Sequence, residues 1–180
     1  MKTKELIAVL DRLDNEFKTA FIKINQLALF FDEDKNHLKV SLNRQVKNGI
    51  IVRIARGLYY NPRAKNQPDN LLFNIACRLR DYRDFYLSLE TVLSEEGVIS
   101  QIPNRLTFIS QSKSAVFYTP LGIIEFTKGN VDNILFSEDI YFDEYRGVYC
   151  ANAQRAIKDA FLHKRSVDLI IEQRKKDELY

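Results

Sequence analysis

The chain has 180 residues, of which 46% are hydrophobic and 28% are charged, and its formal net charge is +3. This composition is typical of a globular protein with one large domain or two small ones, and it excludes wholesale disorder. No apolar run approaches the roughly 20 residues of a membrane helix, and the first residues lack a signal-peptide pattern. We therefore expect a cytoplasmic protein without membrane contact. Two widely separated cysteines, Cys77 and Cys150, are expected to be reduced thiols.

The charges are unevenly distributed along the chain. Residues 1–66 contain 13 Lys and Arg and 7 Asp and Glu, whereas residues 67–180 contain 14 and 17. No acidic residue occurs from Lys35 through Pro68. A basic first third followed by a mildly acidic remainder indicates two tasks within one chain, because only the basic part is attracted to a polyanion.

The first part of the chain predicts three helices. An apolar stripe predicts a helix over residues 1–13, and residues 17–22 are expected to be a short connector. A second helix is predicted over 26–31 and a third over 35–47. Asn48-Gly49 is a usual signal for the end of a helix, so the third helix is expected to stop there.

A short hairpin is predicted directly after the third helix. Apolar residues alternate from Ile50 to Ile54 as in a strand, Arg56-Gly57 supplies a turn, and residues 58–60 are expected to return as the partner strand. Three helices followed by such a hairpin is the order of a winged helix-turn-helix domain, in which the third helix enters the major groove. We therefore predict a DNA-binding domain of this kind over residues 1–62.

The predicted DNA-binding site consists of polar and basic residues on the outward face of the third helix and on the hairpin. Asn and Arg side chains are suited to adenine and guanine edges, and Lys is suited to phosphate. The candidates are Lys35, Asn36, Lys39, Asn43, Arg44 and Lys47 on the helix, and Arg53 and Arg56 on the hairpin. Two other interpretations stay open: a basic face that is merely solvated, and a winged helix that docks a protein.

The rest of the chain predicts a second domain over residues 63–180. Residues 61–68 contain two prolines and no apolar anchor, so a linker is expected there. The predicted domain is α+β, with a small, mostly antiparallel sheet between helices. The expected helices span 69–80, 88–96, 153–163 and 167–174, and the expected strands span 105–110, 115–119, 123–127, 134–136 and 140–142.

Three motifs occur in order along the chain. They are R-x-x-R-G-L-Y over residues 53–59, Y-L-S-L-E ending at a glycine over 86–97, and A-x-R-A-x-x-D over 153–159. Their order and spacing, within about residues 20–165, resemble antitoxins of the AbiE abortive-infection type, the regulatory halves of type IV toxin–antitoxin pairs. One residue departs from the pattern, since Gln45 stands where related winged helices usually have an apolar residue.

The resemblance implies a specific function for each domain. The N-terminal domain is expected to bind inverted repeats in the promoter of its own gene and to repress transcription. The C-terminal domain is expected to counteract a nucleotidyltransferase-like toxin encoded beside it, without needing a stable complex with that toxin. The resemblance thus implies a bacterial cytosolic regulator with double-stranded DNA and a toxin as partners.

The sequence contains little that indicates catalysis. The two histidines, His37 and His163, lie far apart, and neither they nor the cysteines have the spacing of metal ligands. No glycine-rich phosphate loop and no nucleophile elbow is present. We therefore expect no enzymatic activity, no metal and no cofactor.

A metal-dependent nuclease, or the remnant of one, is the alternative prediction. Glu125 on a predicted strand is followed by Lys128, but this spacing places the two side chains on opposite faces of the strand, unlike the usual E-x-K. Arg155 and Asp159 are expected to form an i, i+4 ion pair on a helix. Three further acids are expected to form a solvated turn rather than a magnesium site: Asp139, Asp143 and Glu144.

Overall fold

The computed structural model of the protein describes residues 1–31, 33–131 and 137–177, without the side chains of residues 35, 174, 176 and 177. Within these residues it has seven α-helices and two β-sheets, so the predicted α+β class is confirmed. None of the described helices is both long and apolar enough to cross a membrane. The chain divides into two compact units, Met1–Leu71 with Thr119–Leu121, and Leu72–Tyr118 with the described residues from Gly122 onward.

The first unit has three helices and a three-stranded sheet. Its core is formed by apolar residues that recur at helical spacing, such as Leu6 and Leu10 on the first helix and Leu38 and Leu42 on the third. The third helix has the bounds that its period and its glycine stop predicted. The elements are α1 (Thr3–Phe17), β1 (Phe21–Lys23), α2 (Ile24–Leu27), α3 (Lys35–Lys47), β2 (Val52–Ala55) and β3 (Leu58–Tyr60).

The strands of the first unit are ordered β1-β3-β2, and both pairings are antiparallel. The predicted hairpin is therefore present as β2 and β3. Strand β1 lies where a connector was predicted, and it pairs Phe21 with Tyr60. A strand of three residues has almost no periodic signal of its own, and β1 owes its structure to β3 far along the chain.

The proline-containing segment after β3 is held against α1. Asp14, which is buried, accepts the backbone N–H groups of Lys65 at 2.6 Å and Asn66 at 3.1 Å, and the Asn66 side chain donates to it at 2.8 Å. The Asn66 side chain and the Lys65 N–H lower the pKa of Asp14. The segment expected to be a linker thus contributes to the first unit, which extends to Leu71.

The second unit consists of one six-stranded sheet and four α-helices. The sheet order is β6-β7-β5-β4-β9-β8. A short 3₁₀ helix over Tyr82–Asp84 precedes the fourth strand of the chain. The elements are α4 (Leu71–Leu79), β4 (Phe85–Leu87), α5 (Glu90–Glu95), β5 (Arg105–Ser110), β6 (Ala115–Thr119), β7 (Gly122–Lys128), β8 (Ile140–Asp143), β9 (Val148–Ala151), α6 (Ala153–His163) and α7 (Val167–Asp177).

This sheet is mixed, with parallel as well as antiparallel pairings. Strands β4 and β5 pair antiparallel, as do β8 and β9, but β5 pairs parallel with β7 and β4 pairs parallel with β9. The physical reason is that β7 lies between β5 and β6 instead of extending a simple meander. The predicted strand over residues 134–136 lies outside the described residues.

Candidate nucleic-acid interface

Helix α3 begins with a side-chain cap and turns an exposed face away from the core. The Asp34 carboxylate accepts the backbone N–H groups of Asn36 at 2.7 Å and His37 at 3.3 Å, and these bonds lower the pKa of Asp34. Leu38 and Leu42 are completely buried on the opposite side. The helix is therefore fixed by its N-cap and its core contacts, while its polar face is left accessible.

The hairpin that follows α3 is anchored at its turn. Gly57 adopts a left-handed φ of +76°, and its carbonyl oxygen accepts the backbone N–H of Ile24 at 2.9 Å. A Cβ atom on Gly57 would lie 3.2 Å from Cγ2 of Ile24. Glycine is therefore required both by the turn and by the close approach to α2.

Residues from α2, α3 and the hairpin together line a cavity of about 440 Å³, which we call the hairpin groove. It contains four of the eight predicted DNA-binding residues, two from the helix and two from the hairpin. All four are exposed. The groove is lined by Ile24, Asn25, Lys39, Asn43, Arg53, Arg56, Gly57 and Tyr59.

The hairpin groove is strongly cationic. Within the described part of the chain, no carboxylate forms a salt bridge with Lys39, Arg53 or Arg56. Tyr59 is buried beside these cations, and burial raises the pKa of its phenol against the opposing influence of Arg53. The groove therefore presents three positive charges, two amides and a neutral phenol, which is a chemistry suited to phosphates and base edges.

The other predicted DNA-binding residues lie outside the groove lining. Asn36 and Lys47 are exposed on α3. Arg44 is exposed as well, and its Nη2 donates to the backbone oxygen of Met1 at 3.0 Å. Lys35 is the first residue of α3, and its side chain is outside the described part.

Four residues of the groove were not among the predicted site residues. Asn25 lies in the first turn of α2, whose N-cap position is Lys23. Gly57 was expected in the hairpin turn and Tyr59 in the returning strand, and no role was predicted for Ile24. Their place in the groove depends on the contact between α2 and the hairpin turn, which leaves no local signal in the sequence.

Gln45 is completely buried on the inner side of α3. Its Oε1 accepts a hydrogen bond from the Thr3 hydroxyl at 3.2 Å, while its Nε2 has no partner among the described residues. Related winged helices usually have an apolar residue at this position, whereas Gln45 forms a hydrogen bond between α3 and α1. Because the Gln45 Nε2 group is buried without a partner among the described residues, the hydrogen bond to Thr3 adds less to the stability of the fold.

In the second unit, Glu125 belongs to a network of paired charges. Its carboxylate accepts from Arg105 at 3.0 Å and from Arg165 at 2.5 Å. Arg165 also donates twice to Glu90, at 2.8 and 2.9 Å. Burial raises the pKa of Glu125, but the two arginines outweigh it and the net shift is downward. This carboxylate is therefore occupied by cations of the protein itself.

A second network is centred on Asp159, which is completely buried. Its carboxylate accepts from the hydroxyls of Tyr86 at 3.0 Å and Ser88 at 2.7 Å. Arg155 donates to it at 2.6 Å, which confirms the predicted i, i+4 pair. This network joins β4 to α6.

The remaining acids predicted to form a turn are partly paired. Asp139 pairs with Lys158 and Asp143 with Arg146. Across residues 1–31, 33–131 and 137–177, no group of three or more His, Cys, Asp or Glu side chains is positioned to hold a metal ion. The two cysteines are free, and burial raises the pKa of each thiol to about 11.

The fold can be compared with known proteins. No protein-family model matches the chain, and no curated protein matches it. Its structure is similar to the crystal structure of the RV2827C protein from Mycobacterium tuberculosis, with a TM-score of 0.54 and 11% sequence identity. The similarity covers 89% of this chain and 61% of that chain, so the chain spans about three fifths of the other protein. At this identity the likeness concerns the fold alone.

Proposed function

We propose that the protein is a DNA-binding transcriptional regulator whose first unit is a winged helix-turn-helix domain. In this arrangement α3 enters the major groove and the β2–β3 hairpin lies against the sugar-phosphate backbone. The observation that carries the proposal is the hairpin groove, where Lys39 and Asn43 of α3 lie beside Arg53 and Arg56 of the hairpin and no acid occurs among the described lining residues. Such a cleft attracts a polyanion and offers an amide to adenine.

The second part of the proposal concerns regulation. We infer that the protein represses its own promoter at inverted repeats and acts in the cytoplasm as a type IV antitoxin against a nucleotidyltransferase-like toxin. The motifs over residues 53–59, 86–97 and 153–159 support this inference through their resemblance to AbiE-type antitoxins. The second unit carries the antitoxin role in this scheme, since the DNA-binding residues all lie in the first.

Titration of a fluorescent promoter duplex at several salt concentrations tests the DNA-binding role. Each phosphate contact contributes about −0.9 to the slope of log K against log salt, so three groove cations predict a slope at least as steep as about −2.7. The double change Arg53→Ala, Arg56→Ala should weaken binding to the promoter and to random duplexes alike. The change Asn43→Ala should weaken promoter binding alone, by about 1–3 kcal/mol.

Arg12→Ala is the matched control, because Arg12 pairs with Glu16 on α1 and does not line the groove. It removes one arginine charge from outside the groove, half of what the double change removes, and should leave the salt slope unchanged. If the double variant binds the promoter as tightly as the wild type at physiological salt, the DNA-binding assignment is wrong. Salt-insensitive binding to a protein, with no binding to DNA, would instead identify the first unit as a protein-docking module.

Co-expression with the neighbouring toxin gene tests the antitoxin role separately. The full chain should restore growth, and a variant with the double arginine change should still do so when both genes are driven by a foreign promoter. The nuclease alternative predicts metal-dependent cleavage of DNA that is lost on Glu125→Ala. The two arginines that hold Glu125 argue against it.

A further inference from the structure

Val40 is an apolar residue at the centre of the exposed face of α3. Its side chain is 69% exposed, whereas Leu38 and Leu42, two residues before and after it, are completely buried. At about 100° per residue, positions two away in either direction lie roughly opposite on a helix. Val40 therefore points directly away from the core of the first unit.

The surroundings of Val40 are polar and basic. Asn36 and Arg44, four residues before and after it, are exposed on the same face. Asn43 lies on the same face toward the hairpin groove, which it lines. A β-branched residue is a poorer helix former than alanine by about half a kcal/mol, and it gains nothing from solvent. Neither core packing nor helix propensity accounts for valine at this position.

We propose that Val40 contacts the C5 methyl group of a thymine in the major groove and so makes the protein prefer thymine at one base pair of each half-site. This inference rests on the proposed DNA-binding function. The thymine methyl is the one apolar feature that a base pair presents in the major groove, and small apolar side chains recognise it by direct contact.

The neighbours of Val40 fit the same kind of target. Asn side chains are suited to the N6 and N7 edge of adenine, so Asn36 and Asn43 beside Val40 favour a run of A·T pairs. The cations of the hairpin groove hold the backbone beside the helix, since Lys39, Arg53 and Arg56 lie along one side of this face. With the DNA backbone held in this way, Val40 is the residue of α3 that reaches furthest into the major groove.

Replacement of thymine by deoxyuridine in the promoter duplex tests the contact, because it removes the methyl group and keeps the base pairing. The titration uses the full chain and a series of duplexes, each with uracil at one position of both half-sites. For the wild type, one position should weaken binding by about threefold to fivefold for each half-site, the effect of one methyl group removed from each contact. Substitution at the other positions should have little effect.

The change Val40→Ser completes the test. This variant should bind the thymine duplex about as weakly as the wild type binds the uracil duplex, and uracil at the sensitive position should weaken it no further. Because Val40 is exposed, the variant should keep the wild-type urea midpoint. Ser41→Ala on the same helix is the control and should leave the thymine preference intact.

Three results would overturn the proposal, and they differ from one another. If the wild type binds every uracil duplex as tightly as the thymine duplex, Val40 reads no methyl group, although DNA binding stands. If Val40→Ser keeps the full sensitivity to uracil, another residue reads the methyl. If the wild type shows no preference for its promoter over random DNA, the proposed function fails together with the contact.

Discussion

The hairpin groove of the first unit and the charge networks of the second unit use arginine in opposite ways. In the hairpin groove of the first unit, Arg53 and Arg56 are exposed and have no carboxylate partner in the described part of the chain. In the second unit, Arg155 and Arg165 each lie within 2.9 Å of a partly or fully buried carboxylate. A paired arginine contributes to the fold, whereas an unpaired one is available to an external anion.

This difference predicts where charge removal damages stability and where it damages binding. Changes in the second unit should reduce the free energy of unfolding and leave affinity for DNA unchanged. Charge removal in the hairpin groove should weaken the affinity for DNA and leave the free energy of unfolding unchanged. Urea denaturation and DNA titration on the same set of full-length variants measure the two effects side by side.

Asp159→Ala should have the largest effect. The change leaves Arg155 without its carboxylate and removes the acceptor of two buried hydroxyls, and loss of one partner from a buried ion pair costs about 3–5 kcal/mol. The measurement is the free energy of unfolding in urea. Glu172→Ala, at an exposed position on α7, is the control and should change that free energy by less than about 0.5 kcal/mol. Wild-type stability of Asp159→Ala would show that the Asp159 network adds nothing to the fold.

Glu125→Gln should come next, and its effect should depend on pH. Charged hydrogen bonds of this kind contribute about 2 kcal/mol in total once partial solvent exposure is allowed for. The pKa of Glu125 is lowered from its ordinary value of 4.5 in the folded state. Its contribution to stability is therefore present above pH 4.5 and is lost as the pH falls through the folded-state pKa.

The pH dependence of the urea midpoint checks this sign. Between pH 7 and pH 3 the wild type should lose more stability than Glu125→Gln, and the two curves should converge at the acid end. Glu138→Gln is the control, because Glu138 is exposed. Parallel curves for the wild type and Glu125→Gln would mean that the arginines do not favour the ionised form of Glu125.

Gly57→Ala should reduce the free energy of unfolding by an intermediate amount. Gly57 also lines the hairpin groove, so the change tests how the fold of the first unit supports that groove. A left-handed φ of +76° costs an L-residue about 1 kcal/mol, and the new Cβ would press on Ile24. Gly49→Ala is the matched control, because Gly49 has a φ of +71° but open space around its Cβ position. The excess loss of stability in Gly57→Ala over Gly49→Ala measures the close approach to Ile24. Equal losses would mean that the turn does not press on α2.

The sequence predicted what depends on local signals. The bounds of α3 followed from its apolar period and the Asn48-Gly49 stop, and the charge of the groove followed from the acid-free run after Lys35. The pairing of Arg155 with Asp159 followed from their spacing on one helix turn.

What the sequence could not predict depends on contacts between distant segments. Strand β1 exists because it pairs with β3, and β7 inserts between β5 and β6 for reasons that no local pattern records. The arginines that hold Glu125 come from positions 20 residues before and 40 residues after it. Spacing alone therefore could not decide whether Glu125 is free for a metal.

Arg56→Ala and Arg165→Ala apply the same chemical change to the two units, and Arg56→Ala should have the smallest effect on stability of all these variants. Arg56→Ala should change the free energy of unfolding by less than about 0.5 kcal/mol, because the side chain is exposed and forms no salt bridge with any described residue. It should make the slope of log K against log salt shallower by about 1, because one phosphate contact is lost. Arg165→Ala should leave that slope unchanged and destabilise the fold, because Glu90 and Glu125 lose a shared partner. If Arg56→Ala instead lowers stability with no change in the salt slope, then Arg56 serves the fold as the arginines of the second unit do. The hairpin groove would then have two cations, rather than three, available to bind the phosphates of DNA.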